Sequence, residues 1–377
     1  MNKKSIIYLV NVDYFFLSHR LPLALEAKKR GYEVYVAAQN TGKFGEIEKH
    51  GIQLIDLPIG RGIGGILSFF RSLLVLCRLY SRIKPDVIHQ ISVKPIIIGT
   101  FASAFFSRES RIINAVTGLG YSFADEGRSL VRFSILTLLK FVVILGNKEM
   151  TFLFQNVDDK NLYLRYGLST PSNSIIIKGA GVDEVTFKRD LELSDEKEKV
   201  KITLLSRMLK DKGVMEFLNA AHLLRSKLEG IAVFRLVGGL DLDNPAFISK
   251  ETIVNLLVPD YIVWEGNRND IQRVYQATDI ACLPSYREGM PKSLIEAMAM
   301  SCPVITTLAP GCRCCVDEGV NGFLVPVKNV DVLANRILLL ASNADLRAKM
   351  GLASRKKMVS EMTLNEVVDK TFVLYEA

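Results

Sequence analysis

Glu288 and Glu296 stand eight residues apart in Pro284-Ser285-Tyr286-Arg287-Glu288-Gly289-Met290-Pro291-Lys292-Ser293-Leu294-Ile295-Glu296-Ala297. A short apolar run ends at Leu283, so the segment reads as strand, loop and helix. Pro291 is predicted to take the first helical position, where its missing N–H costs nothing. The free N–H groups of that helix start, with Gly289, Met290 and Pro291 around it, can hold a diphosphate. The spacing sets Glu288 at the mouth and Glu296 one to two turns deeper on the same side. Two carboxylates flanking a phosphate site can hold a sugar hydroxyl and a ribose diol respectively.

A second cluster is Ser206-Arg207-Met208-Leu209-Lys210-Asp211-Lys212-Gly213, after a β-branched run and before an amphipathic one. Arg207 and Lys212 are placed to neutralise a diphosphate as it leaves, and Lys210 to share that work. Alone this is a basic turn. Together with the first segment it is an anion site. The cysteines offer nothing comparable. Cys77 and Cys282 lie in apolar runs, where a thiol is a small hydrophobe. Cys312-Arg313-Cys314-Cys315 has neither a nearby histidine nor a second pair at zinc spacing, so no metal is expected there.

These loops need a scaffold that ends several strands near one another. Residues 6–10, 34–38, 87–88, 112–115, 151–154 and 175–177 read as strands, with helices predicted over 20–30, 63–82 and 96–106. A charged stretch at 192–199 reads as a linker. The rhythm then restarts, with strands at 202–205, 232–237, 262–264, 280–283 and 304–306 and a helix over 214–228. Such alternation predicts an α/β chain of two doubly wound, Rossmann-like domains. They span 1–190 and 197–360, with a last helix in 361–377. Ligands of such sheets bind beyond the carboxyl ends of the strands, here toward a cleft between the domains. A length of 377 residues and an apolar fraction of 49% suit two cores.

Charge divides the chain. Residues up to 190 hold 25 Lys+Arg against 16 Asp+Glu, and the rest 23 against 24. The basic half calls for an anionic partner. A membrane surface is expected rather than nucleic acid, because the basic residues are dispersed without interleaved aromatics. Segments 63–80 and 129–144 are strongly apolar with Arg71, Arg78, Arg132 and Lys140 among them, a pattern that can lie at a headgroup boundary. No apolar run reaches the roughly 18 residues of a spanning helix, and the apolar stretch after the basic start is too short for a signal peptide. A reduced, cytoplasmic chain, peripheral at the inner face of the membrane, is expected.

The pair Arg207…Lys212 with Glu288-x7-Glu296 resembles the signature of the retaining family 4 glycosyltransferases. The segments Val263-Trp264-Glu265-Gly266-Asn267-Arg268, Ala277-Thr278-Asp279-Ile280 and Gly319-Val320-Asn321-Gly322-Phe323-Leu324-Val325 match that family too. The resemblance implies a GT-B fold and metal-independent, retaining transfer from a nucleotide sugar, with no cofactor. It implies Glu288 at the donor sugar, Glu296 at the ribose, Arg207 and Lys212 at the diphosphate, and Asn267 and Arg268 near the base. The first half is similar to bacterial transferases that extend undecaprenyl-diphosphate-linked sugars, through His19-Arg20-Leu21-Pro22 and Thr117-Gly118-Leu119-Gly120-Tyr121. His19, Arg20, Thr117 and Gly118 would then face a polyprenyl-diphosphate-linked saccharide acceptor, and the donor would be a UDP-N-acetylhexosamine, best UDP-GalNAc. The last helix would cross back to the first domain. The chain departs from the family pattern twice: Cys314 stands where an acid is expected, and Asn11-Val12-Asp13-Tyr14-Phe15-Phe16 replaces a glycine-rich loop. A transferase of the same family using another hexose donor, a sugar-nucleotide 2-epimerase of the same fold and a non-catalytic nucleotide-sugar binder are the alternatives. The basic, apolar first half argues against the epimerase, and the intact cations and carboxylates argue against the non-catalytic binder.

Overall fold

Runs such as Ser5–Val12, apolar almost throughout, become strands covered on both faces, the state in which a parallel strand needs no polar side. The computed structural model describes residues 3–59, 66–118, 130–146, 150–190, 199–242 and 244–377. Two compact units result, Met1–Ala180 with Val368–Ala377, and Gly181–Val367. The division falls at Ala180, earlier than the expected 190, and the charged stretch at 192–199 lies outside the described residues except for Lys199.

The first unit contains β1 (Ser5–Val12), α1 (Asp13–His19), α2 (Leu21–Lys29), β2 (Glu33–Gln39), α3 (Phe44–Glu48), β3 (Gln53–Asp56) and α4 (Ile66–Ile83). It continues with β4 (Val87–Ile91), α5 (Val93–Phe106), β5 (Arg111–Val116), α6 (Leu130–Leu145), β6 (Met150–Phe154), α7 (Val157–Arg165) and β7 (Ser174–Ile176). The sheet order is β3-β2-β1-β4-β5-β6-β7, parallel throughout. Helix α5 is apolar on all sides because it packs against both α4 and α6.

The second unit contains β8 (Val200–Leu205), α8 (Val214–Leu228), β9 (Ala232–Val237), α9 (Lys250–Val254), β10 (Ile262–Trp264), α10 (Ile271–Gln276) and β11 (Ile280–Leu283). Then come α11 (Lys292–Ala299), β12 (Val304–Thr307), β13 (Gly322–Val325), α12 (Val330–Ala341), α13 (Ala344–Glu361) and α14 (Leu364–Glu376). The order is β10-β9-β8-β11-β12-β13, again parallel. Strands β3 and β13 are absent from the sequence rhythm. Both are four-residue edge strands of their sheets. Helix α14 begins in the second unit, and its residues from Val368 belong to the first.

Candidate active site

In the second sheet the chain builds outward from β8 through β9 to β10, then returns to β11 and builds the other way. The order reverses between β8 and β11, the switch point at whose carboxyl ends ligands of parallel α/β sheets bind. Both predicted motifs sit there. After β8 come Ser206 to Leu209 and a 3-10 turn, Lys210–Lys212. After β11 come Pro284 to Pro291 and then α11.

The two loops are bolted together. Ser285 Oγ donates to the Asp211 carbonyl at 3.0 Å, and the Tyr286 N–H to the same oxygen at 2.8 Å. The Tyr286 hydroxyl donates to Glu216 at 2.6 Å. This brings Lys212 Nζ to 2.5 Å from Glu288 Oε1, an oxygen that also accepts from Ser285 Oγ at 2.9 Å. The Lys212 and Glu288 side chains are only 16% and 13% exposed, so water screens the pair weakly. Arg207 pairs with Asp241, beyond β9. Asp211 joins the cluster with its Oδ1 buried and without a hydrogen-bond partner. Burial raises its carboxyl, Glu288 adds to the rise, and Lys212 and Arg207 oppose it. Sequence reasoning missed Asp211, Asp241 and Ser285. Their only local signal is that Asp211 interrupts two lysines, and their roles depend on the strand order.

Pro291 caps α11 rather than opening it. Its φ and ψ of −72° and 115° are extended, and the helix starts at Lys292. The predicted N1 position is thus off by one residue, because Pro291 takes the extended backbone of a cap. No side chain caps this helix start, so its positive end faces the 288–291 loop. Glu296 is buried, with Lys292 Nζ at 3.1 Å one turn back. Burial raises its carboxyl above the ordinary glutamate range, and Lys292 only partly opposes the shift.

The β12 loop braces the floor. The Glu288 N–H donates to the Pro310 carbonyl at 3.1 Å, and Thr307 Oγ1 to the Ser285 carbonyl at 2.5 Å. A β-carbon on Gly311 (φ +77°) would fall 2.3 Å from the Glu288 carbonyl oxygen. Next to it the buried Cys312 thiol is pushed up to about 12 by burial and bonds to Thr306 and Thr307. It is therefore a neutral packing group. Cys314 is half-buried. Among the described residues no three His, Cys, Asp or Glu side chains converge to hold a metal ion.

At the far end Gly238 (φ +141°) lets β9 meet β8, since a β-carbon there would stand 1.7 Å from the Ser206 carbonyl oxygen. The Trp264 indole donates to the Gly238 carbonyl at 2.9 Å. Asn267 lies beside Gly239. Arg268 is gripped by Glu265 at 2.7 Å and by both Asp270 oxygens at 2.7 and 2.6 Å. That grip holds Asp270 down to about 2. Arg268 is thus a braced, charge-compensated plane.

In the first unit the sheet reverses between β1 and β4. His19 ends α1, stacked on Phe15 at 4.3 Å with its Nδ1 2.6 Å from Ser18 Oγ. Asp13 fills the place of the missing glycine-rich loop. Buried, it accepts N–H groups of Tyr14, Thr41 and Lys43 at 2.7, 2.7 and 2.9 Å and so ties the β2 loop to α1. Thr117 Oγ1 lies 3.0 Å from Ser92 Oγ, and Gly118 adopts φ +114°. Leu119, Gly120 and Tyr121 lie outside the described residues. Arg20 differs from expectation: it is buried, its Nη1 donating to the His19 carbonyl at 3.1 Å. It supports the turn from within and presents no guanidinium to the surface.

Residues 186–357 match the family model of glycosyl transferases group 1, and residues 5–145 match a glycosyl transferase 4-like model. The chain is 28% identical over 356 residues to the N,N'-diacetylbacillosaminyl-diphospho-undecaprenol alpha-1,3-N-acetylgalactosaminyltransferase of Campylobacter jejuni, covering 89% of this chain and 91% of that one. It is 28% identical over 320 residues to an Escherichia coli UDP-Gal:alpha-D-GlcNAc-diphosphoundecaprenol alpha-1,3-galactosyltransferase, covering 82% and 80%. Among solved structures, Anabaena Alr3699/HepE in complex with UDP and glucose superposes with a TM-score of 0.79 at 18% identity over 100% of both chains. With two parallel α/β units, a carboxylate–cation cluster at the switch point of the second and two family models that together span most of its length, the chain belongs to the glycosyl transferases of the GT-B fold, with a group 1 second half and a 4-like first half.

Proposed function

We propose that the chain transfers an N-acetylhexosamine, GalNAc by preference, from a UDP-sugar to a saccharide on undecaprenyl diphosphate, with retention and without a metal ion. The reaction would run at the inner face of the cytoplasmic membrane in polysaccharide or glycan assembly. The observation that carries this reading is the Lys212–Glu288 pair beside Arg207 at an uncapped helix start. A UDP leaving group gains negative charge as the glycosidic bond breaks, and two cations plus a helix terminus supply what a metal would. On donor entry Lys212 exchanges a Glu288 oxygen for a phosphate oxygen. Glu288 then accepts from a sugar hydroxyl, and Glu296 from the ribose diol. Amides around Gly289 and Met290 assist, while Asn267 and the Arg268 plane border the base. His19 and Thr117–Gly118 meet the acceptor. UDP in the HepE structure and the undecaprenyl-linked substrates named for both relatives support the substrate classes.

Membrane attachment is supported by exposed Leu67, Phe70 and Leu74 on α4, Phe105 and Phe106 on α5, and Leu130, Phe133, Phe141 and Ile144 on α6. Exposed Arg71, Arg78 and Lys140 lie on the same helices.

The test offers the protein radiolabelled UDP-GalNAc, UDP-GlcNAc, UDP-Gal and UDP-Glc with undecaprenyl-diphosphate-linked GlcNAc or diacetylbacillosamine. Label from UDP-GalNAc should enter the lipid fraction in the presence of EDTA, with an α linkage by NMR. Glu288→Gln should lower the rate by about 100-fold. A lipid fraction free of label from every donor, or an undiminished E288Q, would sink the reading.

A further inference from the structure

Arg20 is the least expected buried group in the first unit. At 5% exposure it keeps a cation from water, and among the described residues no carboxylate pairs with it. Burying a lone charge is costly unless oriented dipoles replace water. Its charge acts electrostatically on a buried cluster of Tyr8, His89 and Tyr375. Tyr8 of β1 and His89 of β4 are register partners with rings 5.5 Å apart. Tyr375 comes from α14. Its hydroxyl lies 2.5 Å from His89 Nδ1 and 3.4 Å from the Tyr8 hydroxyl, so one phenol joins both strands. Arg20 Nε and His89 Nε2 are buried without partners, so the cluster has no spare bond to lose.

The cluster also reaches the surface loop. Tyr8 meets Phe16 edge-on at 5.8 Å, the Arg20 N–H donates to the Phe16 carbonyl at 2.8 Å, and Arg20 Nη1 holds the His19 carbonyl. The chain of contact runs from the Tyr375 hydroxyl to Tyr8, from Tyr8 to the Phe16 ring, and from the Phe16 carbonyl through Arg20 to His19. Helix α14 has other anchors. The Arg30 guanidinium sits 4.0 Å over the Phe372 ring, which also meets Tyr32. Removing the Tyr375 hydroxyl should therefore leave the helix docked.

We propose that Tyr375 is a positioning residue for the 13–20 turn, acting through Tyr8, Phe16 and Arg20 to hold His19 in place. This rests on the reading that His19 meets the acceptor. The experiment compares Tyr375→Phe, which keeps the ring and loses both hydrogen bonds, with His19→Ala. Both are assayed with the UDP-sugar and undecaprenyl-diphosphate-linked monosaccharide turned over in the assay above. Y375F should raise the acceptor KM about threefold to thirtyfold. Donor KM and Tm should stay near wild type, while amide exchange quickens over residues 13–20. H19A should raise acceptor KM as well. If H19A does so and Y375F does not, the positioning role is wrong and the acceptor reading stands. If H19A leaves acceptor KM unchanged, the acceptor reading fails and the proposal falls with it. A Y375F protein with a lower Tm and both KM values raised alike would show a merely structural residue and overturn the proposal.

Discussion

Glu296 shows how a residue's surroundings set its working range. In the proposed role at the ribose, Glu296 accepts two hydrogen bonds from the diol, so the ionised carboxylate is the binding form. Burial favours the protonated form and Lys292 opposes this only in part. The sign follows: as pH falls, Glu296 gains its proton above the ordinary glutamate value, and donor affinity falls there. Its effect on stability runs the other way, being most favourable at low pH and lost as pH rises through its raised folded-state value. Calorimetric titration with UDP from pH 5 to 8 should show Glu296→Gln binding about 10- to 100-fold more weakly near neutrality. The gap should narrow toward pH 5. The phosphate of UDP titrates in both proteins, so the difference between the two curves isolates Glu296. Parallel curves would remove it from the ribose site. Lys292→Met, by deleting the opposing charge, should move the break to higher pH.

Among the elements, the β12 loop is the brace that sequence reading passed over as a cysteine oddity. Gly311 has both a left-handed backbone and a neighbour within overlap distance of any side chain. Gly319 has a similar φ of +74° and nothing within 4 Å. The two glycines separate backbone strain from overlap. Gly319→Ala should cost about 1–2 kcal/mol, the left-handed penalty alone. Gly311→Ala should cost about 3 kcal/mol or more, and it should also weaken UDP binding by displacing the Glu288–Gly289 peptide. Thermal unfolding with and without UDP reads both effects. Equal losses for the two variants would show that the loop gives way easily and does not brace the site. Central apolar strands such as β1 and β11 are legible in the sequence, whereas the edge strands β3 and β13 are not, although the three-residue edge strands β7 and β10 are.

At the scale of the molecule, the first unit carries the charge excess and the exposed apolar helices together. Leu130 and Ile144 are 85% and 82% exposed, and no described helix is long and apolar enough to cross a membrane. Apolar side chains at this exposure, with lysine and arginine among them, fit a surface that meets anionic headgroups. Phe133→Asp with Phe141→Asp should abolish flotation with phosphatidylglycerol vesicles and leave Tm close to wild type, since both sites are exposed. Raising salt should weaken the wild-type interaction. Flotation of the double variant at the wild-type level would place the attachment elsewhere.

The alternation of strand and helix, the two-unit plan and the two charged loop motifs are legible in the sequence alone. Each is local: a period, a turn residue or a charge next to a loop is written within a dozen positions. The sequence did not determine which charges meet. Lys212 and Glu288 are 76 positions apart, and Arg207 and Asp241 are 34 apart. Their pairing follows from β8 lying between β9 and β11, an order set by how the two sheet faces bury their helices. The inward turn of Arg20 was equally hidden, because its burial is decided by what packs over the 16–20 turn. The Glu288–Glu296 segment was legible as a pair of carboxylates. Only the fold made one of them a lysine's partner and the other a buried acid.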